Sequence, residues 1–176
     1  MSVPLFKIYE KDSTTQATSK DFGKVKAGNV SETIYEVDVW NNYGGDSNYD
    51  ANGLPDIIEA TVTVTDSSGT FTGEIVTGKY VEVCVNDEQD PNAPADATDK
   101  RKFIAIGGTD KAPIRAVAFT TAQDSNGGGT YEGIANDGTK ANSTTNYGTL
   151  AFRINLPLNA TNGKKTGYVR LDGYYV

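Results

Sequence analysis

Residues 48–60 read NYDANGLPDIIEA and set Asn48, Asp50, Asn52, Asp56 and Glu59 around one glycine, Gly53. A hard cation such as calcium takes six to eight oxygens, and a short loop supplies them from alternating positions around a tight bend. With Asn48 at position one, Asp50 falls at three, Asn52 at five and Gly53 at six, where the chain must turn. Leu54 at seven would offer its backbone carbonyl, Asp56 stands at nine, and Glu59 at twelve, where a bidentate carboxylate belongs. The candidate metal ligands are thus Asn48, Asp50, Asn52, Leu54, Asp56 and Glu59, and the cofactor they would hold is Ca2+. The protein has no evident need of any other cofactor.

This spacing resembles the D-x-[DN]-x-[DN]-G-x-x-D loops of EF-hands and of integrin-type β-propellers over about a dozen residues. It departs from them at position one, where Asn48 removes a charge; Asp46, two residues upstream, would compensate only in a wider loop. The flank also differs. Residues 57–64, IIEATVTV, alternate with period two, which predicts a strand where an EF-hand needs a helix. A calcium loop between strands remains open. So does an ordinary polar turn, because Asn, Asp, Gly and Pro serve both.

Other chemistry is thinly provided. The chain has no histidine, the commonest general base and zinc ligand. Its single cysteine, Cys84, excludes an internal disulfide and a cysteine metal cluster. The glycines 127–129 and the IGGTDK stretch at 106–111 lack the Lys-Ser/Thr of a phosphate loop. Carboxylates are plentiful but scattered, so no glycosidase pair stands out and no catalytic residues are assigned. Trp40, beside Tyr43 and Tyr49, is the best candidate surface for stacking on a sugar, although large aromatics more often pack in a core.

The elements that must carry these residues are strands. The 176 residues include 19 glycines and 10 tyrosines, with one Met and one Trp, a composition suited to an all-β protein with many turns. Alternation predicts strands at 4–10, 33–40, 57–64, 102–108, 112–121, 149–158 and 167–176. Residues 74–85 read as two short strands or one bent strand broken near Gly78, with Val81, Val83 and Val85 inward and Cys84 on the other face. On 149–158, Leu150, Phe152, Ile154 and Leu156 face inward, while Arg153 and Asn155 face outward. No stretch predicts a helix. The acidic segment 86–100 and the Gly/Asn/Thr-rich 122–148 read as long exposed loops, with a short hairpin near Tyr131 to Ile134. The expected fold is one antiparallel β-sandwich of about nine strands spanning 1–176, Greek-key or jelly-roll-like in its connections.

A net charge of −7 disfavours nucleic acid and anionic membranes as partners. The start, MSVPLFKIYEKDSTT, shows no signal peptide, so the N-x-S/T triplets at Asn29, Asn142 and Asn159 carry little weight. The order of DFGKVKAGNVSETIYEVDVWNN (21–42), SSGTFTG (67–73), KYVEVCV (79–85), FIAIGG (103–108) and INLPLNATNGKKTGYVRLDGYY (154–175) resembles small β-sandwich virion proteins of tailed phages and phage-tail-like particles. That resemblance implies a structural role as a tail, baseplate, neck or decoration subunit. The protein would be assembled in the host cytoplasm and located in the virion, self-associating and bound to other virion subunits. The alternative is a module for cell-surface glycans, with Trp40, Tyr43 and Tyr49 as its face and calcium as an aid.

Overall fold

The structure is a computed structural model and describes residues 6–120 and 129–176. Among the described residues nine strands form two antiparallel sheets: β1 (Lys7–Glu10), β2 (Tyr35–Trp40), β3 (Ile57–Asp66), β4 (Val81–Val85), β5 (Ile104–Ile106), β6 (Ala112–Pro113), β7 (Gly129–Tyr131), β8 (Tyr147–Ile154) and β9 (Gly167–Tyr175). The first sheet runs β1-β2-β8-β4-β5. The second is built on β3, which pairs with β6 and β7 along one edge and with β9 along the other. The expected all-β sandwich is therefore the fold. β8 lies between β2 and β4, so the neighbours are mostly not consecutive and the connections cross over.

Alternation explains the layering. Val37, Val39, Val83, Leu150 and Phe152 of the first sheet meet Ile57, Ala60, Val62, Val64 and Tyr131 of the second in one core. Val81 and Val85 join it, as expected from their spacing, and Ile154 packs against its margin. The core residues are mostly β-branched, which suits a pleated, half-buried surface.

Four stretches differ from the sequence reading. Residues Glu74–Thr77 make one helical turn, α1, in place of the first half of a strand. Gly73 and Gly78 bracket it, and the Gly78 N–H bonds the Glu74 carbonyl at 2.9 Å. In β3 the simple alternation fails at Glu59, a non-glycine residue with φ +52, where the register against both β7 and β9 shifts. This bulge carries Ile57, rather than Ile58, onto the core face with Ala60. The run 112–121 pairs as a strand at Ala112–Pro113, and Ile114 and Ala116 continue into the core from irregular backbone; residue 121 lies outside the described residues. The hairpin expected near Tyr131 is instead the short strand β7 laid on β3.

The outer face of the first sheet is covered as well. Asp38, Trp40, Cys84, Thr149 and Ala151 point away from the sandwich core, yet all are buried. Loops lie over them. The segment 86–100 is an exposed loop, as expected, and it folds back on itself, with the Asp90 N–H bonded to the Lys100 carbonyl at 2.8 Å and the Lys102 N–H to the Glu88 carbonyl at 2.7 Å. Arg101 pins it down through Glu36 (2.7 Å), Asp99 (2.9 Å) and Asp87 (3.3 Å). No helix among the described residues is long and apolar enough to cross a membrane.

Candidate functional site

The loop that follows β2 is a chain of side-chain-capped turns. Asp46 Oδ1 accepts the Asn48 N–H at 2.8 Å, and Asp50 Oδ1 accepts the Asn52 N–H at 2.9 Å. Such Asx turns are what Asp does two residues before a bend. Gly53 supplies the bend with φ +88, and its N–H bonds the Asp50 carbonyl at 3.1 Å. The Leu54 N–H bonds the Gly133 carbonyl at 2.8 Å, and Asp56 Oδ1 accepts the Gly133 N–H at the same distance.

The six candidate ligands are placed accordingly. Asn48 and Asn52 are exposed donors whose amides point to the Asp46 and Asp50 carboxylates, and Asp50 is itself a capping acceptor. The Leu54 carbonyl lies so near Gly133 that a Cβ there would sit 2.0 Å from its oxygen. Asp56 turns toward the same glycine, and Glu59 stands on the β3 bulge. Among the described residues no group of three or more acidic, histidine or cysteine side chains comes together to hold a metal. Asp50 and Asp56 each use one carboxylate oxygen as an N–H acceptor in this arrangement.

What the loop is built around is Asn42, a residue the sequence reading passed over. It is buried and left-handed, with φ +53. Its Nδ2 donates to the carbonyls of Asp50 and Gly133, both at 2.9 Å, and its Oδ1 accepts the Asp50 N–H at 2.9 Å. Its own carbonyl accepts from Asn136 Nδ2 at 2.6 Å. Asn41, beside it, donates to the carbonyls of Pro55 and Tyr131, both at 3.0 Å. Asn146 donates to the carbonyls of Glu132 and Ile134, both at 2.9 Å. A primary amide carries donors and acceptor on one short stem, so it can stand in for a neighbouring strand. These asparagines hold residues 129–138 to the sandwich. That part of the segment 122–148 is therefore packed by polar groups rather than left as exposed loop; residues 122–128 lie outside the described residues. The signal was the WNN triplet at a strand end, but asparagine in a loop reads first as a turn residue.

The aromatic candidates separate. Trp40 and Tyr43 are buried with Tyr9 and Tyr147 in a second, small cluster on the outer face of the first sheet. The Trp40 ring stacks on Tyr147 at 4.7 Å and meets Tyr43 at the same distance. Tyr9 donates its hydroxyl to Asp46 at 2.5 Å, and that bond helps hold the Asp46 carboxyl below its ordinary range. Tyr49 is half-buried, and its hydroxyl accepts the Asn136 N–H at 3.2 Å. The rings offered to a sugar by the sequence reading are thus used for packing: covering loops make an outward-facing tryptophan an interior one.

Charged groups on this covered face are paired. Buried Asp38 meets the Lys140 ammonium at 2.7 Å and accepts from the Thr149 hydroxyl and the Asp12 N–H, both at 2.9 Å. Burial works against the Lys140 charge, but Asp12 and Asp38 outweigh it and raise its pKa. Cys84 is fully buried, its thiol donates to the Glu88 carbonyl at 3.6 Å, and burial pushes its pKa up to about 11, far from that of a reactive thiolate. In comparison with known proteins, no family model, no curated sequence and no solved structure matches the chain.

Proposed function

We propose that the protein is a structural subunit of a phage virion or phage-tail-like particle and works by self-assembly and by binding neighbouring subunits. The observation that carries this reading is the contrast between the two sheets. The outer face of the first is sealed by loops, buried ion pairs and packed rings. The second ends in β9, where Tyr168, Val169, Tyr174 and Tyr175 are exposed. Side chains of that kind, gathered on one sheet edge, suit a surface covered in an assembly. The particle class rests on the sequence resemblance across residues 21–175.

The test is mass spectrometry of purified particles from the source, with sedimentation of the isolated protein. A stoichiometric presence in the particles supports the reading. Absence from them, together with retention on a glycan array, would replace it with the carbohydrate-binding alternative.

A further inference from the structure

We infer that β9 is a self-complementary seam that pairs antiparallel with β9 of a second copy about a two-fold axis through Leu171. Among the described residues β9 pairs with β3 alone, leaving its other edge free over Gly167–Tyr175. A free strand edge offers a row of N–H and C=O groups, and proteins usually blunt it with proline, lysine or a short length. β9 has nine residues and neither proline nor lysine.

The occupant is identified by the sequence of the strand, GYVRLDGYY. Turned antiparallel on itself about Leu171, it sets Arg170 opposite Asp172 of the other copy, twice by symmetry. It sets Tyr168 opposite Tyr174, Val169 opposite Gly173, and Gly167 opposite Tyr175. Opposite charges and paired aromatics across strands are favourable, and a ring or β-branched side chain over a glycine covers its bare backbone. Neighbouring registers lose this. Moving the axis to residue 170 places Arg170 against Arg170, and moving it to 172 places Asp172 against Asp172. A shift of the pairing by one residue turns every side chain to the wrong face. Exposure agrees with the pairing: Tyr168 is 57% exposed, Tyr174 67% and Tyr175 61%, whereas Leu171 on the axis is half-buried against the core. Within one copy Arg170 Nε donates to Asp172 at 2.7 Å, and Lys111 also reaches Asp172 at 2.7 Å. Both charges of the seam are therefore held at the edge before a partner arrives. A two-fold contact of this kind is isologous and joins the second sheets of two copies into one.

The inference rests on the assembly reading and names its partner surface. Its test uses the full chain. Leu171→Cys places two thiols across the axis, where directly opposed residues have Cα atoms about 4.5–5.5 Å apart, within disulfide reach. Mild oxidation should give a covalent dimer on a non-reducing gel. Arg170→Cys, whose copies lie diagonally apart, should cross-link far less, and buried Cys84 should stay silent. Because Leu171 touches the core, a surface variant provides a second arm. Arg170→Asp should weaken dimerisation in sedimentation equilibrium on the order of tenfold, and adding Asp172→Arg should restore it. Equal cross-linking of both cysteine variants, or a dimer indifferent to Arg170→Asp, overturns the seam. A wild-type protein that stays monomeric at high concentration also overturns it. If the protein is nevertheless found in purified particles, the assembly reading stands and the β9 pairing alone falls.

Discussion

Replacing Asn42 with alanine should be among the most damaging changes a polar residue of this protein can suffer. The side chain makes three hydrogen bonds of 2.9 Å, two to carbonyls and one from an N–H, in a buried position. At roughly 1 kcal/mol each, their loss costs about 3 kcal/mol, more if the freed groups stay dry. Alanine must also hold a left-handed backbone, which adds about 1 kcal/mol. Glycine accepts that backbone freely, so Asn42→Gly should cost about 3 kcal/mol and Asn42→Ala about 4. Asn42→Asp keeps the acceptor for the Asp50 N–H but turns a carboxylate toward two carbonyls, and should be the worst of the three. Urea unfolding checks the order, with an unchanged m-value showing that the same surface is exposed in each variant. Limited proteolysis should show first cuts in 44–56 and 132–139. A glycine variant as stable as the wild type, or an aspartate variant milder than alanine, would refute the bracket argument.

Phe152→Ala empties a core position of β8 and should cost about 3–5 kcal/mol in the same urea melts. Arg153→Ala should cost about 1–2 kcal/mol rather than nothing, because its guanidinium lies 3.8 Å from the Phe103 ring centroid and its Nε bonds Glu82 at 2.6 Å. Stability should be flat from about pH 5 to 8, since there is no histidine to titrate there. It should fall in acid. Lys165 and Thr161 hold the Glu74 carboxyl well below its usual range, and Thr70 does the same for Asp66. A depressed carboxylate contributes above its unfolded pKa and loses that contribution as pH drops through the folded one. It should also fall in base from about pH 9. Burial raises Cys84 to about 11, and a hydrogen bond to Glu74 raises Tyr80 to about 12; both favour the fold while protonated and cease to as pH climbs. Thermal melts in calcium and in chelator should coincide, and Asp50→Asn should be near neutral because Asn can cap the same turn. A calcium-dependent rise in melting temperature, lost in Asp50→Ala with Asp56→Ala, would establish the metal loop.

The strands were legible where alternation is strong and one face meets the core. β2, β8 and β9 lie within four residues of the bounds read from the chain, and β4 is the second half of the segment 74–85 read as broken near Gly78. Glu74–Thr77 misled because its β-branched residues mimic a strand, whereas the two glycines that cap it, Gly73 and Gly78, decide for a helical turn. Ile57 shares the core face with Ala60, out of step with simple alternation, because a bulge at Glu59 has no period-two signature. The burial of Trp40 and Cys84 was invisible for a different reason. Alternation reports which face of a strand a residue takes, and says nothing of the segments that fold back over that face, such as the one carrying Glu88 over Cys84. The oxygen spacing at 48–59 was real as spacing, but oxygens so placed serve Asx turns and cation cages alike, and the backbone donors at Gly133 could not be foreseen from the loop itself.

The strand order also bears on how the chain can fold as it is made. β2 finds β8, and β3 finds β9, across more than a hundred residues of sequence. Of the ladders among the described strands, β1–β2 and β4–β5 join consecutive strands. During synthesis the central slot of the first sheet stays vacant until residues 147–154 have left the ribosome, and the second sheet lacks its edge until 167–175 follow. Closing such distant pairs is entropically slow, and open edges in the meantime invite misassembly. A nascent chain halted after residue 146 should therefore resist protease little better than an unfolded one, and protection should appear abruptly as residues 147–175 emerge.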